Sequence, residues 1–191
     1  MLLPDNFSGD NKLLSGRKNF CTIDWAFAGT SESSDTVYEG RAARACTWTH
    51  WIDTHKPSGY QDSGVMWTQE DGTTMEVGRM ENSATGKKES YEEIWEDFVP
   101  SDISDRSHTV CQTFKLDKPG SKGLLIRAGA WVQGLRIDEE ENRKVVTVRR
   151  LYWDGEHWVN MIDHGYGNLP VERILDSGQV WSPQWNGWEL V

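Results

Sequence analysis

The chain has 191 residues and a formal net charge of −10, from 30 acidic and 20 basic side chains. Its length suits one domain with a single core. An acidic chain without a basic stripe argues against a nucleic-acid partner and an anionic membrane surface. No apolar run approaches the ~20 residues of a membrane span, and the N-terminus is too polar for a secretion signal. We therefore predict a cytoplasmic protein.

The first half of the chain predicts short strands. Residues 1–18 are polar and contain Pro4, which favours a loosely held arm, and residues 30–35 form a polar, turn-rich stretch. Residues 37–45 fit either a short helix or one more strand. Residues 46–53 are β-branched and aromatic, and predict a strand with Trp48, His50 and Ile52 on one face.

Hairpins follow from residue 65 onward. Asp-Gly turns at residues 71–72 and 154–155, and a third turn at residues 82–87, separate runs with strand character. A long run at residues 123–138 contains Gly129 and Gly134, which predict bends or bulges. Eight or nine regularly spaced strands with little helix predict an all-β fold, an antiparallel meander closed into a barrel. A single domain would then span residues 1–191, with a short helix opening a Trp-rich tail at residues 171–191.

Eleven tryptophans are distributed along the chain. They either fill the core of a small β-protein or line a cavity for a flat, apolar ligand. On the second interpretation we predict a substrate-binding set made of the following residues: Trp25, Trp48, Trp67, Met80, Trp95, Trp131, Gln133 and Trp153.

Four segments resemble successive motifs of the fungal HRI protein family. They are IDWAFAGTSES (residues 23–33), TWTHWID (residues 47–53), EVGRMENSATGKKESYEEIWED (residues 76–97) and GLLIRAGAWVQGLRID (residues 123–138). The resemblance implies a calycin-like β-barrel of poorly defined function. A shorter N-terminal part and the Trp-rich tail depart from the family pattern. These departures suggest an offshoot recruited to fungal specialised metabolism.

The strand at residues 90–99 carries an unusual acidic load. Alternation places Tyr91, Glu93, Trp95 and Asp97 on one face, and the intervening residues on the other. If the first face points inward, a carboxyl group lies between aromatic rings, and desolvation raises its pKa into the range of a proton donor. If the second face points inward, its acids need partners, for which the predicted strands offer Arg127, Arg149 and Arg150. A third alternative places all of these acids on a solvated outer face.

Nucleophile motifs, clustered metal ligands, phosphate cradles and dinucleotide fingerprints are absent from the sequence, so we expect neither a metal nor a cofactor. General acid–base chemistry remains, with His50, Tyr91, Glu93 and Arg127 as the predicted catalytic residues.

Two functions follow from these patterns. The first is a cofactor-independent enzyme of fungal specialised metabolism, a cyclase, a dehydratase or isomerase, or a Diels–Alder-type catalyst, acting on a small apolar or aromatic metabolite. The alternative is a non-catalytic barrel that binds a ligand or a partner protein. A homodimer is left open.

Overall fold

The computed structural model describes residues 23–82, 85–97, 110–141, 143–175 and 184–191. Twelve strands and one helix lie within these ranges. In chain order they are β1 (Phe27–Tyr38), β2 (Arg41–Asp53), β3 (Gln61–Thr68), β4 (Thr74–Glu81), β5 (Lys88–Trp95), β6 (Cys111–Lys118), β7 (Ser121–Ala128), β8 (Trp131–Glu140), β9 (Arg143–Trp153), β10 (Trp158–His164), α1 (Val171–Leu175), β11 (Gln184–Trp185) and β12 (Trp188–Leu190).

The strands form two antiparallel sheets. One sheet has five strands in the order β1-β2-β3-β4-β5, and the other has seven in the order β10-β9-β8-β7-β6-β12-β11. The prediction of an antiparallel all-β fold with little helix is confirmed. The predicted number of eight or nine strands is wrong, because the described strands number twelve and are divided between two sheets, with the change between β5 and β6. Closure into a barrel stays a prediction.

The strand count exceeds the prediction because the run at residues 123–138 forms two strands and the tail contributes β11 and β12. The run at residues 123–138 is a hairpin rather than one bent strand, because Gly129 takes a φ of 54° and turns the chain between β7 and β8. The polar stretch at residues 30–35 lies inside β1, where nearly every side chain is exposed. A strand that is open to water does not need the apolar alternation by which strands are recognised in a sequence.

The described residues group into two compact units. One contains residues 23–28, 52–55 and the described residues from 110 onward, and the other contains residues 29–51 and 56–97. Whether the chain folds as one domain stays a prediction, since compactness alone does not show that a unit folds independently. The predicted arm at residues 1–18 lies outside the described residues.

The first unit has an apolar core on one face of the seven-stranded sheet. The core is built from buried side chains of β6, β7, β8, α1, β12 and the segment that precedes α1: Phe114, Leu116, Leu125, Val132, Leu169, Ile174 and Trp188. Trp188 is 1% exposed and packs over Gly123, where a Cβ would lie 2.4 Å from its ring. The described end of the C-terminal tail, residues 184–191, therefore adds β11 and β12 to this sheet and Trp188 to its core. The predicted short helix is confirmed as α1.

The turns predicted at residues 71–72, 82–87 and 154–155 are confirmed. The backbone of Gly72 donates to Gln69, Gly86 donates to Asn82, and Asp154 donates to His157, which closes the three hairpins expected at these positions. None of the helical residues described belongs to a segment long and apolar enough to cross a membrane.

Candidate functional site

One face of the five-stranded sheet gathers acidic and aromatic side chains. On this face Glu76 of β4 lies directly opposite Glu93 of β5, and Tyr91 lies opposite Gly78. Gly64 of β3 continues the row of Gly78. Because alternate residues of a strand share a face, Asp62 and Trp95 project on the same side. We call these residues the Glu76 face: Asp62, Gly64, Glu76, Gly78, Tyr91, Glu93 and Trp95.

Glu76 is the most deeply buried of the acidic side chains on the Glu76 face. Its side chain is 4% exposed, and its Oε1 accepts a hydrogen bond of 2.7 Å from the Tyr91 hydroxyl. The contact is diagonal across the β4–β5 ladder, which a long aromatic side chain can span. Tyr91, Glu93 and Trp95 are half-buried, whereas Glu92, Ile94 and Glu96 of the same segment are exposed.

Two paired glycines give Tyr91 the space for this bond. A Cβ at Gly78 would lie 2.5 Å from the Tyr91 hydroxyl oxygen, and a Cβ at Gly64 would lie 2.9 Å from Glu76 Oε1. Real Cβ atoms do not approach other heavy atoms this closely. The absence of side chains at these two positions therefore permits the phenol ring to lie flat across the neighbouring strand.

Burial raises the pKa of Glu76, and the Tyr91 hydroxyl and the Trp95 indole oppose this by favouring the charged carboxylate. Burial also raises the pKa of Glu93, and the nearby charges of Glu76 and Asp62 add to that effect. Desolvation, followed by the bond to Glu76, raises the pKa of the Tyr91 phenol. The Glu76 face thus holds two carboxyl groups that resist ionisation, beside a phenol that stays protonated.

Two buried polar atoms of this face lack a hydrogen bond within the described residues, namely Glu76 Oε2 and Trp95 Nε1. The indole N–H is near enough to favour the charged form of Glu76. It does not reach the distance and angle of a hydrogen bond, so we regard its effect as electrostatic. A buried acceptor and a buried donor without a hydrogen bond are costly for a fold, and a bound water, ion or ligand can satisfy them.

His50 is fully buried on β2, and its ring packs edge-on against Tyr60 with 5.4 Å between centroids. It is four positions along β2 from Cys46, the residue that continues the row of Gly64, Gly78 and Tyr91. This separation amounts to about 13 Å along the strand. By alternation His50 is on the same side of the sheet as the Glu76 face, but it is six positions along β2 from Arg44, the β2 residue in the row of Glu76 and Glu93.

Arg127 belongs to the other unit and is 2% exposed. Its Nη1 donates to the carbonyls of Ile174 at 2.7 Å and Leu175 at 3.3 Å, and its Nε donates to Gly129 at 3.3 Å. These contacts hold the C-terminal end of α1 on the seven-stranded sheet, and they give Arg127 a structural task that the sequence did not indicate.

Arg149 and Arg150, which were also predicted as possible partners for acidic side chains, contact residues of the seven-stranded sheet and of the loop after β10. Arg149 Nη1 pairs with Asp163 Oδ1 at 3.0 Å and donates to the carbonyl of His164 at 2.6 Å. Arg150 Nε donates to Gln133 Oε1 at 2.6 Å across the β8–β9 ladder. Gln133, predicted to orient a ligand, thus accepts from a neighbouring strand.

The predicted aromatic set is divided between the two sheets. Trp131 packs on Tyr152 with 4.6 Å between ring centroids, and Trp153 packs on Trp158 at 5.7 Å. Both contacts join neighbouring strands of the seven-stranded sheet. They are cross-strand pairs of the kind that stabilise a sheet.

Trp25 also belongs to the first unit. Its indole donates to Asp53 Oδ1 at 3.1 Å, and its ring stacks on His55. Trp67 belongs to the five-stranded sheet but projects from the opposite side to the Glu76 face, where it stacks on Tyr38 with 5.5 Å between centroids. Trp25 and Trp67 are thus placed outside the Glu76 face.

Trp48 and Met80 share the side of Tyr91 by strand alternation, and both are half-buried. With Trp95 they are the predicted ligand-contacting residues that extend the Glu76 face. Their role in binding stays a prediction.

Sequence reasoning missed Glu76, the most buried acid of the group. The signal was present: the turn at residues 82–87 pairs Glu81 with Lys88, and counting back along both strands pairs Glu76 with Glu93. A hairpin turn fixes the register of the whole ladder. In the described part of the chain, no three His, Cys, Asp or Glu side chains are grouped as metal ligands.

The two sheets and the Glu76 face define an antiparallel all-β protein with a candidate small-molecule site on one sheet. The chain belongs to the HRI1 family, because the family model described as Protein HRI1 matches residues 6–191. The match includes the Trp-rich tail, so the predicted departure of the tail from the family pattern is wrong.

Two curated relatives, both called Protein HRI1, come from Saccharomyces cerevisiae. The protein of strain Lalvin QA23 is 26% identical over 67% of this chain and 59% of its own length. The protein of strain VIN 13 is 26% identical over 66% of this chain and 78% of its own length. The chain thus spans less than two thirds of the first relative.

A solved structure supports the fold. The crystal structure of an uncharacterized protein from Saccharomyces cerevisiae matches with a TM-score of 0.61 and 20% identity, over 88% of this chain and 78% of that one. At this level of identity the match concerns the fold alone.

Proposed function

We propose that this chain is a non-catalytic binding protein whose Glu76 face takes a small molecule with an apolar or aromatic body and a hydrogen-bonding group. One observation carries the proposal: Glu76 Oε2 and Trp95 Nε1 are both buried on this face, and neither has a hydrogen bond in the described residues. A ligand that presented a donor to the first atom would remove the cost of leaving it unpaired.

The surroundings favour an aromatic ligand. Tyr91 and Trp95 are half-buried, so each ring keeps a surface on which a flat molecule can stack. A calycin-like barrel would enclose such a face, and fungal specialised metabolism would provide such ligands. Both are part of the proposal, as is a cytoplasmic location.

The neutral fluorescent amine N-phenyl-1-naphthylamine is a suitable probe, since it combines two aromatic ring systems with one N–H donor. We expect saturable enhancement of its fluorescence with the wild-type protein. Trp95→Phe and Tyr91→Phe should each weaken binding. Trp67→Phe is the matched control, because Trp67 projects from the other side of the same sheet. Absence of saturable binding of this probe and of other aromatic N–H or O–H donors to the folded wild-type protein would refute the proposal.

A cofactor-free enzyme is the second candidate, and the raised pKa of Glu93 favours it. A half-buried carboxyl group with a raised pKa keeps its proton to a higher pH than a free one and can donate it to a bound substrate. Incubation of each bound ligand with wild-type protein and Glu93→Gln, followed by mass spectrometry, separates the two functions. Product formed by the wild type and lost in the variant would establish catalysis, whereas unchanged ligand supports binding alone.

A further inference from the structure

The charge distribution on the Glu76 face specifies the ligand more closely. Three acidic side chains, those of Asp62, Glu76 and Glu93, lie on this face of β3, β4 and β5. Burial is the main cause of the raised pKa values of Glu76 and Glu93, and the charge of Asp62 adds to both. Arg44 of β2 is in the same row as Glu76 and Glu93, two strands away from Glu76, and it donates to the hydroxyl of Ser33. Within the described residues it forms no ion pair with either glutamate.

The three acids differ in depth. Glu76 is buried, and its Oε2 has no hydrogen bond among the residues described. Glu93 is half-buried, so part of its side chain contacts solvent. The half-exposed ring of Trp95 lies beside both. The faces of aromatic rings are electron-rich and attract cations, and carboxylates do so more strongly.

We propose that the Glu76 face selects an organic ammonium ion, whose N–H group donates to Glu76 Oε2 and whose apolar body lies against Tyr91 and Trp95. This inference rests on the proposed binding function and adds the charge of the ligand. A neutral donor would satisfy the same oxygen, but it would leave the mutual repulsion of the carboxylates in place. A cation removes both costs together.

The test compares two ligands of nearly equal shape, 2-phenylethylammonium and 2-phenylethanol, by isothermal titration calorimetry at pH 8 and ~150 mM salt, where weak attraction to the net negative surface is screened. We expect the wild-type protein to bind the ammonium ion at least about tenfold more tightly than the alcohol. Glu76→Gln should lose most of this preference.

Glu92→Gln is the matched control, because it removes the same charge one residue away, from an exposed side chain on the opposite face. It should retain the preference. Glu93→Gln provides a second test if Glu76→Gln fails to fold. It should reduce the preference for the ammonium ion over the alcohol while leaving buried Glu76 unchanged.

The outcomes separate the two proposals. Equal affinity for the ammonium ion and the alcohol would overturn the inference about charge and leave the binding function standing. Binding of N-phenyl-1-naphthylamine without binding of either phenylethyl ligand would also overturn it. A preference that falls equally in Glu76→Gln and Glu92→Gln would assign the effect to net charge, and would refute the site. Failure of every probe, the naphthylamine included, would refute the binding function itself.

Discussion

The hydroxyl of Tyr91 provides a direct measure of the energetics of the Glu76 face. Tyr91→Phe removes one oxygen, which donates to Glu76 Oε1 at 2.7 Å. A hydrogen bond to a charged group contributes about 1.5–3 kcal/mol net. Because Tyr91 is half-exposed, water replaces part of the loss, and we expect the lower end of that range, about 1.5–2 kcal/mol at pH 8. For a chain of this length the melting temperature should fall by about 3–8 °C.

The pH dependence has a definite sign. The Tyr91 hydroxyl favours the charged carboxylate and so lowers the pKa of Glu76, against the larger effect of burial. Its stabilisation is therefore complete above the pKa of Glu76 and declines as the pH falls through that pKa. At low pH the acceptor is a neutral carboxyl group, for which a hydrogen bond contributes about 1 kcal/mol.

Urea unfolding followed by tryptophan fluorescence at pH 8 and pH 4 measures both effects. The same substitution in a Glu76→Gln background completes a double-mutant cycle, in which the hydroxyl should contribute only about 1 kcal/mol at either pH. Tyr166→Phe is the control, because Tyr166 is 91% exposed and should tolerate the change. Equal losses at both pH values and in both backgrounds would refute the assigned bond.

Three further predictions concern single side chains. Gly78→Ala should destabilise by about 1–3 kcal/mol in thermal unfolding, because its Cβ would meet the Tyr91 ring, and most of this cost should disappear in a Tyr91→Ala background. Arg127→Met should cost about 2–4 kcal/mol and accelerate amide hydrogen exchange in α1, whose last carbonyls lose their donor; unchanged exchange would contradict this. Burial raises the pKa of Glu76 above its value in the unfolded chain. The free energy of unfolding of the wild type therefore decreases as the pH rises through that pKa, because the folded state then holds a buried charge. Glu76→Gln should therefore unfold at a higher urea concentration than wild type at pH 8 and at nearly the same concentration at pH 4.

The sequence alone determined features that depend on neighbouring residues. The three hairpin turns, the short helix and the sharing of a face by Tyr91, Glu93 and Trp95 all follow from local backbone chemistry or from the two-residue period of a strand. The motifs at residues 76–97 and 123–138 also led to the HRI family, whose model covers the chain from residue 6 to residue 191.

Features that depend on distant residues required the tertiary structure. Trp188 is a core residue because β12 pairs with β6, about seventy residues earlier in the chain, and no local pattern shows such a pairing. For the same reason the predicted catalytic set was divided, with Arg127 holding α1 in one unit and Tyr91 lying in the other.

Glu93 was singled out because alternation places it between two aromatic residues of its own strand. In the structure the most buried carboxyl group of the site is that of Glu76, which is opposite Glu93 on the neighbouring strand. Burial, and with it the raised pKa, is a property of the assembled sheet. The sequence determined which side chains share a face, and only the packing of the sheet decided which carboxylate is withdrawn from water.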